Sequence, residues 1–137
     1  MAWKYTKVNG GSGGIFFSDD LTLVTRLAGF VINSGWFVDG IQGIYQRCDG
    51  SLSYGLWNGG SGGSQVKVNF AADEYITNIS GSAGWYIDQI TFVTNKATYG
   101  PYGGSGGSAW NIPNDKIGGF YGQSGQYVDA IGFFYPC

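Results

Sequence analysis

The chain has 137 residues and a formal charge of −2, from seven Lys and Arg against nine Asp and Glu. Hydrophobic residues make up 43% and aromatics 18%, so a core is within reach, while the 12% charged share is about half the usual one. No two basic residues are adjacent, which removes the footprint of a nucleic-acid binder, and no apolar run approaches membrane-spanning length. The 26 glycines beside many aromatics point to short strands joined by tight turns rather than to disorder.

In chain order, residues 1–9 carry no apolar signal core, so the expected location is cytoplasmic or reached by a non-classical route. A glycine loop, GGSGG, follows at 10–14. RLAGFVINSG then reads as a short strand with Leu27 and Phe30 on its apolar side. GWFVD at 35–39 leads into the β-rich IQGIYQRC. The order then repeats. A second GGSGG at 59–63 precedes YITNISGSAG, GWYID at 84–88 and ITFVTN. A third at 103–107 precedes KIGGFYGQSG, GQYVD at 125–129 and IGFFYP. The offsets match, with Ile76 and Ile79, then Ile117 and Phe120, standing where Leu27 and Phe30 stand. Each motif is followed by one variable residue and an isoleucine, Ile41, Ile90 or Ile131. No segment sustains a helical period.

GGSGG taken alone reads as a flexible linker. Here it lies 29, 29 and 26 residues before the motif aspartate, a fixed relation that slack spacers do not keep. Segments of about 40 residues without staples are also too small to fold alone. The expectation is therefore one pseudo-threefold β domain over 1–137, with repeats at roughly 1–49, 50–98 and 99–137. The two cysteines, Cys48 and Cys137, are too few and too far apart to read as a disulfide framework.

The three GGSGG loops, each in register with a Gly-x-aromatic-aliphatic-Asp motif, resemble the jacalin-related lectins over essentially the whole chain. The resemblance implies an all-β fold, the β-prism I: three four-stranded Greek-key sheets with pseudo-threefold symmetry. It also implies that a sugar site joins the motif of one repeat to the glycine loop of the next. Asp39 then pairs with loop 59–63, Asp88 with 103–107, and Asp129 with 10–14, closing the ring from C-terminus to N-terminus.

The residue types suit that chemistry. A carboxylate accepts two hydroxyl donors at once in charge-assisted bonds, which matches vicinal sugar hydroxyls. Backbone N–H groups at the first two variable positions would donate to sugar oxygens: Trp36 and Phe37, Trp85 and Tyr86, Gln126 and Tyr127. The final loop glycines Gly14, Gly63 and Gly107 would donate to O3, since a loop without side chains permits that approach. Aromatic side chains add apolar surface for the sugar's C–H faces. Galactose-preferring members of the family are cut to free a glycine amine. The intact first loop therefore implies mannose, with glucose the other candidate, and high-mannose glycans as partners.

Other readings compete. The loops could be plain turns, and the aspartates could cap turns with their own side chains. Trp36 and Trp85 fit a core or a partner surface as well as a site. Asp19-Asp20 and Asp73-Glu74 read as solvated turns rather than metal ligands. No enzyme is expected: histidine is absent, each site has one obvious carboxylate where a glycosidase needs two, and no P-loop occurs. A β-trefoil would carry QxW motifs, and none is present. No metal or cofactor is implied. The serious alternative is a β-prism protein-interaction or self-assembly module, and a homodimer is compatible with either reading.

Overall fold

Each apolar segment of the repeats becomes one arm of an antiparallel hairpin, because alternating small, β-branched and aromatic residues suit a sheet with one buried face. The computed structural model describes residues 2–114 and 116–137, and every regular element among them is a strand. In chain order these are β1 (Trp3–Tyr5), β2 (Asn9–Gly10), β3 (Ile15–Ser18), β4 (Val24–Ser34), β5 (Val38–Arg47), β6 (Leu52–Tyr54), β7 (Asn58–Gly59), β8 (Ser64–Asn69), β9 (Ile76–Ala83), β10 (Ile87–Thr94), β11 (Thr98–Gly103), β12 (Ser108–Ile112), β13 (Gly119–Ser124) and β14 (Val128–Pro136).

They form three sheets. One runs β6-β5-β4-β8 with β7 also on β5, one β11-β10-β9-β12, and one β1-β14-β13-β3 with β2 also on β14. β1 and β2 are a single outer strand broken in the middle, since Trp3 pairs with Pro136 and Asn9 with Ile131 on the same partner. β6 and β7 are broken in the same way along β5. In two sheets three consecutive strands are followed by a fourth that returns beside the first, which is the Greek-key order, and in the third the same spatial order is completed by β1 and β3 from the N-terminal end. The sheets do not coincide with the sequence repeats. Each takes its central hairpin from one repeat and its outer strands from the next, so the last sheet must borrow residues 3–18 from the N-terminus.

The core lies between the sheets. Ile32, Ile41, Ile79, Ile87, Ile90 and Ile131 are at most 1% exposed. A chain of phenylalanines crosses it: Phe30 of β4 meets Phe92 of β10 at 4.4 Å between ring centroids, Phe92 meets Phe120 at 6.4 Å, and Phe120 meets Phe133 at 5.9 Å. Cys48 and Cys137 are both exposed and unbonded.

The acidic pairs need correcting. Only Asp20 and Asp73 sit in solvated turns. Glu74 is 5% exposed, accepting from Thr94 and Tyr99 hydroxyls at 2.6 Å each and from the Ala71 N–H at 3.0 Å. It ties the turn after β8 to the next sheet. Asp19, just past β3, accepts from the Tyr45 hydroxyl of β5 and joins the sheet of β3 to that of β5. Burial pushes the Asp19 carboxyl up from 3.8 to about 6, against the opposing pull of that hydrogen bond. Among the described residues no cluster of potential metal ligands occurs.

The folded chain therefore holds the Asp19 proton more tightly than the unfolded chain. That contribution is complete at low pH and disappears as pH rises through about 6. Urea unfolding from pH 4 to pH 7 is expected to show wild type losing stability relative to Asp19→Asn by about 1–3 kcal/mol, levelling off above about pH 6. A difference that does not change with pH would contradict this assignment.

Candidate functional site

The site begins with a break in strand periodicity. Val38 and Ile41, Ile87 and Ile90, and Val128 and Ile131 are all buried, although residues three apart on a regular strand face opposite ways. The pairing shows how. Val38 pairs with Ser34 and Gly40 with Asn33, which leaves Asp39 without a partner. Ile87 pairs with Ala83 and Gln89 with Ser82, leaving Asp88. Val128 pairs with Ser124 and Ala130 with Gln123, leaving Asp129. Each motif aspartate is the extra residue of a β-bulge, a device that re-aims a side chain.

The bulge directs each carboxylate at the glycine loop of the following repeat. A β-carbon on Gly63 would lie 2.8 Å from Asp39 Oδ1, one on Gly107 2.7 Å from Asp88 Oδ1, and one on Gly14 2.6 Å from Asp129 Oδ1. These glycines also have φ of +79°, +81° and +82°, where a side chain is strained. Gly62, Gly106 and Gly13 flank the second carboxylate oxygen at 2.8, 2.8 and 3.0 Å by the same measure. The backbone locks the pairing: the N–H groups of Gly60, Gly104 and Gly11 donate to the carbonyls of Asp39, Asp88 and Asp129, each at 2.8 Å. All three expected pairs are thus in contact.

The carboxylates are unusual in their surroundings. Asp39, Asp88 and Asp129 are 6–8% exposed, yet none has a cationic partner, the one ion pair among the described residues being Lys96–Asp73. Among the described residues no side chain donates to them, and their oxygens are not among the buried polar atoms that lack partners. They are acceptors held in a narrow opening with lone pairs still free. Burial raises the Asp39 and Asp129 carboxyls above the ordinary value of 3.8, while each residue's own N–H pulls the other way.

Donors stand beside them. The motif glycine N–H groups of Gly35, Gly84 and Gly125 are committed to the carbonyls two residues on, at 3.0, 3.0 and 2.9 Å. The next two N–H groups in each motif, at Trp36 and Phe37, Trp85 and Tyr86, and Gln126 and Tyr127, have no protein acceptor among the described residues. A carboxylate with two free N–H groups and a bare glycine backbone offers acceptors and donors to a polyhydroxyl ring.

The aromatic residues divide in a way the sequence did not reveal. Trp36 and Trp85 are 87% and 83% exposed, so they are not core, and Gln126 is exposed as well. Phe37, Tyr86 and Tyr127 instead turn to one another, half-buried, with centroids 5.1, 5.0 and 4.9 Å apart. They form a triangle on the pseudo-threefold axis rather than three separate site walls. A cavity of about 650 Å³ at the opposite end of the strands, lined by Arg26, Glu74 and Lys116 among others, is not a comparable candidate. Its Arg26 is bonded to Gln46 and Ala71, and its Glu74 is fully engaged.

An all-β prism of three Greek-key sheets, with glycine loops gathered at one end, is the architecture of a carbohydrate-binding lectin. The chain belongs to the jacalin-like lectin domain family, which it matches over residues 6–134. It is 38% identical to griffithsin of Griffithsia sp. over 128 residues, covering 92% of each chain. Among solved structures it superposes on AcmJRL, a mannose-binding jacalin-related lectin of Ananas comosus, with TM-score 0.89, 31% identity and 96% of each chain covered. A mannose-specific jacalin-related lectin of Morus nigra, solved with mannose, gives TM-score 0.87 and 31% identity over 96% of this chain and 92% of that one. The family consists of non-catalytic carbohydrate-binding proteins.

Gly63→Ala is expected to destabilise the fold by about 1–3 kcal/mol, from its positive φ and the contact with Asp39. Ser61→Ala, in the same loop, is the control and should leave stability within about 0.5 kcal/mol. Thermal unfolding of both variants checks the pair.

Proposed function

We propose that the chain is a mannose-binding lectin with three sites at one end of the prism, directed at the termini of high-mannose glycans. The observation that carries this reading is the threefold repetition of one constellation: a bulge-held carboxylate, two free N–H groups, and a glycine loop with no side chain between them and solvent. In each site the carboxylate accepts from two vicinal hydroxyls of a terminal hexose. The motif N–H groups donate to the ring-side oxygens, and the last loop glycine donates to a third hydroxyl. Mannose is favoured over glucose by the sugar named for the Ananas and Morus lectins.

A single shallow site of this kind binds a monosaccharide at about 1 mM, near −4 kcal/mol. Three sites around one axis can engage several termini of one branched glycan, and linkage then adds about two to four orders of magnitude where the spacing fits. Weak monosaccharide binding and tight binding to branched glycans are the same mechanism at two valencies.

A second reading, self-association, draws on the β3 edge of the last sheet. Ile15 and Phe16 of β3 are 79% and 67% exposed, where the matching positions of β8 and β12 hold Ser64 and Gln65, and Ser108 and Ala109. Sedimentation at several concentrations tests it, and a homodimer would double the valency.

Calorimetric titration with methyl α-mannoside is expected to fit about three sites per wild-type chain and to show no binding for a folded Asp39→Ala, Asp88→Ala, Asp129→Ala triple variant. Binding unchanged in that variant would sink the reading. As pH falls, affinity should drop earlier than an ordinary carboxylate would dictate, because burial raises Asp39 and Asp129 above 3.8 and the protonated form cannot accept both hydroxyls.

A further inference from the structure

We infer that the three sites are not equivalent: the Asp88 site alone is walled on both sides by tryptophan and takes more than one sugar residue of a linear oligosaccharide. The inference rests on the carbohydrate reading of these loops. It follows from which motif touches which glycine loop. Each loop contacts two motifs, its own aspartate and the first variable residue of another repeat. A side chain on Gly104 would begin 2.4 Å from the Trp36 carbonyl, one on Gly11 2.1 Å from that of Trp85, and one on Gly60 2.2 Å from that of Gln126. Gly104 is the residue whose N–H holds the Asp88 carbonyl, so Trp36 stands one residue from a site to which its own motif aspartate does not belong.

The surroundings of each carboxylate follow. The Asp88 site has Trp85 from its own motif and Trp36 from the neighbouring one. The Asp39 site has Trp36 and Gln126, and the Asp129 site has Gln126 and Trp85. Of the five tryptophans, the other three are at least partly buried; only these two stand bare. Both belong to motifs whose carbonyls are seated in closely fitted loops. The Trp36 backbone is fixed beside this loop and Trp85 precedes Asp88 in its own motif, so both bare indoles are free to offer apolar surface to the sugars on either side of a bound ring. A glutamine offers hydrogen bonds but little of that surface.

The test uses three full-length chains that each keep one carboxylate, the other two being changed Asp→Asn to preserve side-chain shape. Circular dichroism and thermal unfolding establish that each is folded. Calorimetry then compares methyl α-mannoside with a linear α-linked mannotriose. The gain from one sugar to three is expected to be about five-fold or more larger in the chain keeping Asp88 than in the other two. Adding Trp36→Gln to that chain should bring its gain down to theirs, although the aspartate of the Trp36 motif has already been removed. Equal gains in the three chains, or a gain unmoved by Trp36→Gln, would overturn the inference while leaving the sugar sites in place. Absence of binding by every chain, wild type included, would remove the carbohydrate reading and this inference with it.

Discussion

The extra residue in each central hairpin is the constraint from which the rest of the molecule follows. A regular strand cannot bury both Val38 and Ile41, and the core needs both. The bulge resolves the conflict by dropping Asp39 out of the ladder. The same step turns a carboxylate away from the sheet and into the adjacent loop. Core packing and the placement of the carboxylate are therefore settled by one irregularity, used three times. A carboxylate so placed has lost water without gaining a cation, and it remains tolerable because its oxygens still reach solvent.

The loops answer that placement. Side chains are excluded where the carboxylate oxygens approach Gly62 and Gly63 and their counterparts. A second exclusion operates at Gly60, Gly104 and Gly11, where the carbonyl of another repeat's motif comes to rest. Six loops thus interlock in a ring, with Phe37, Tyr86 and Tyr127 closing its centre. Binding surfaces made from loops usually need order imposed by the ligand. Here the order comes from neighbouring loops, so the donors and acceptors are already positioned before any ligand arrives.

Much of this was legible in the chain. Three GGSGG runs in register with three aspartates marked the repeats. The resemblance carried by those motifs supplied the prism, the pairing of loops and the closure of the ends. Other features were hidden because they depend on distant partners. Glu74 looks like half of a solvated Asp-Glu turn, and only the fold brings Thr94 and Tyr99 to it. Phe37, Tyr86 and Tyr127 follow one another at 49 and then 41 residues and meet only on the symmetry axis. The bulge did leave a trace in the three-residue spacing of Val38 and Ile41, but strand alternation has to be counted across the motif to see it.

The closure of the last sheet by the N-terminal strands has a kinetic side. Asp39 meets Gly63 across 24 residues and Asp88 meets Gly107 across 19, while Asp129 meets Gly14 across 115. Loop-closure entropy grows with separation, and contacts of long range form late. The first two carboxylate–loop pairs close over short separations, and the third closes over a separation about five times longer. Closing the ring is thus also the step that ties residues 3–18 to β13 and β14, and the Asp129 pair reports whether that distant closure has been made.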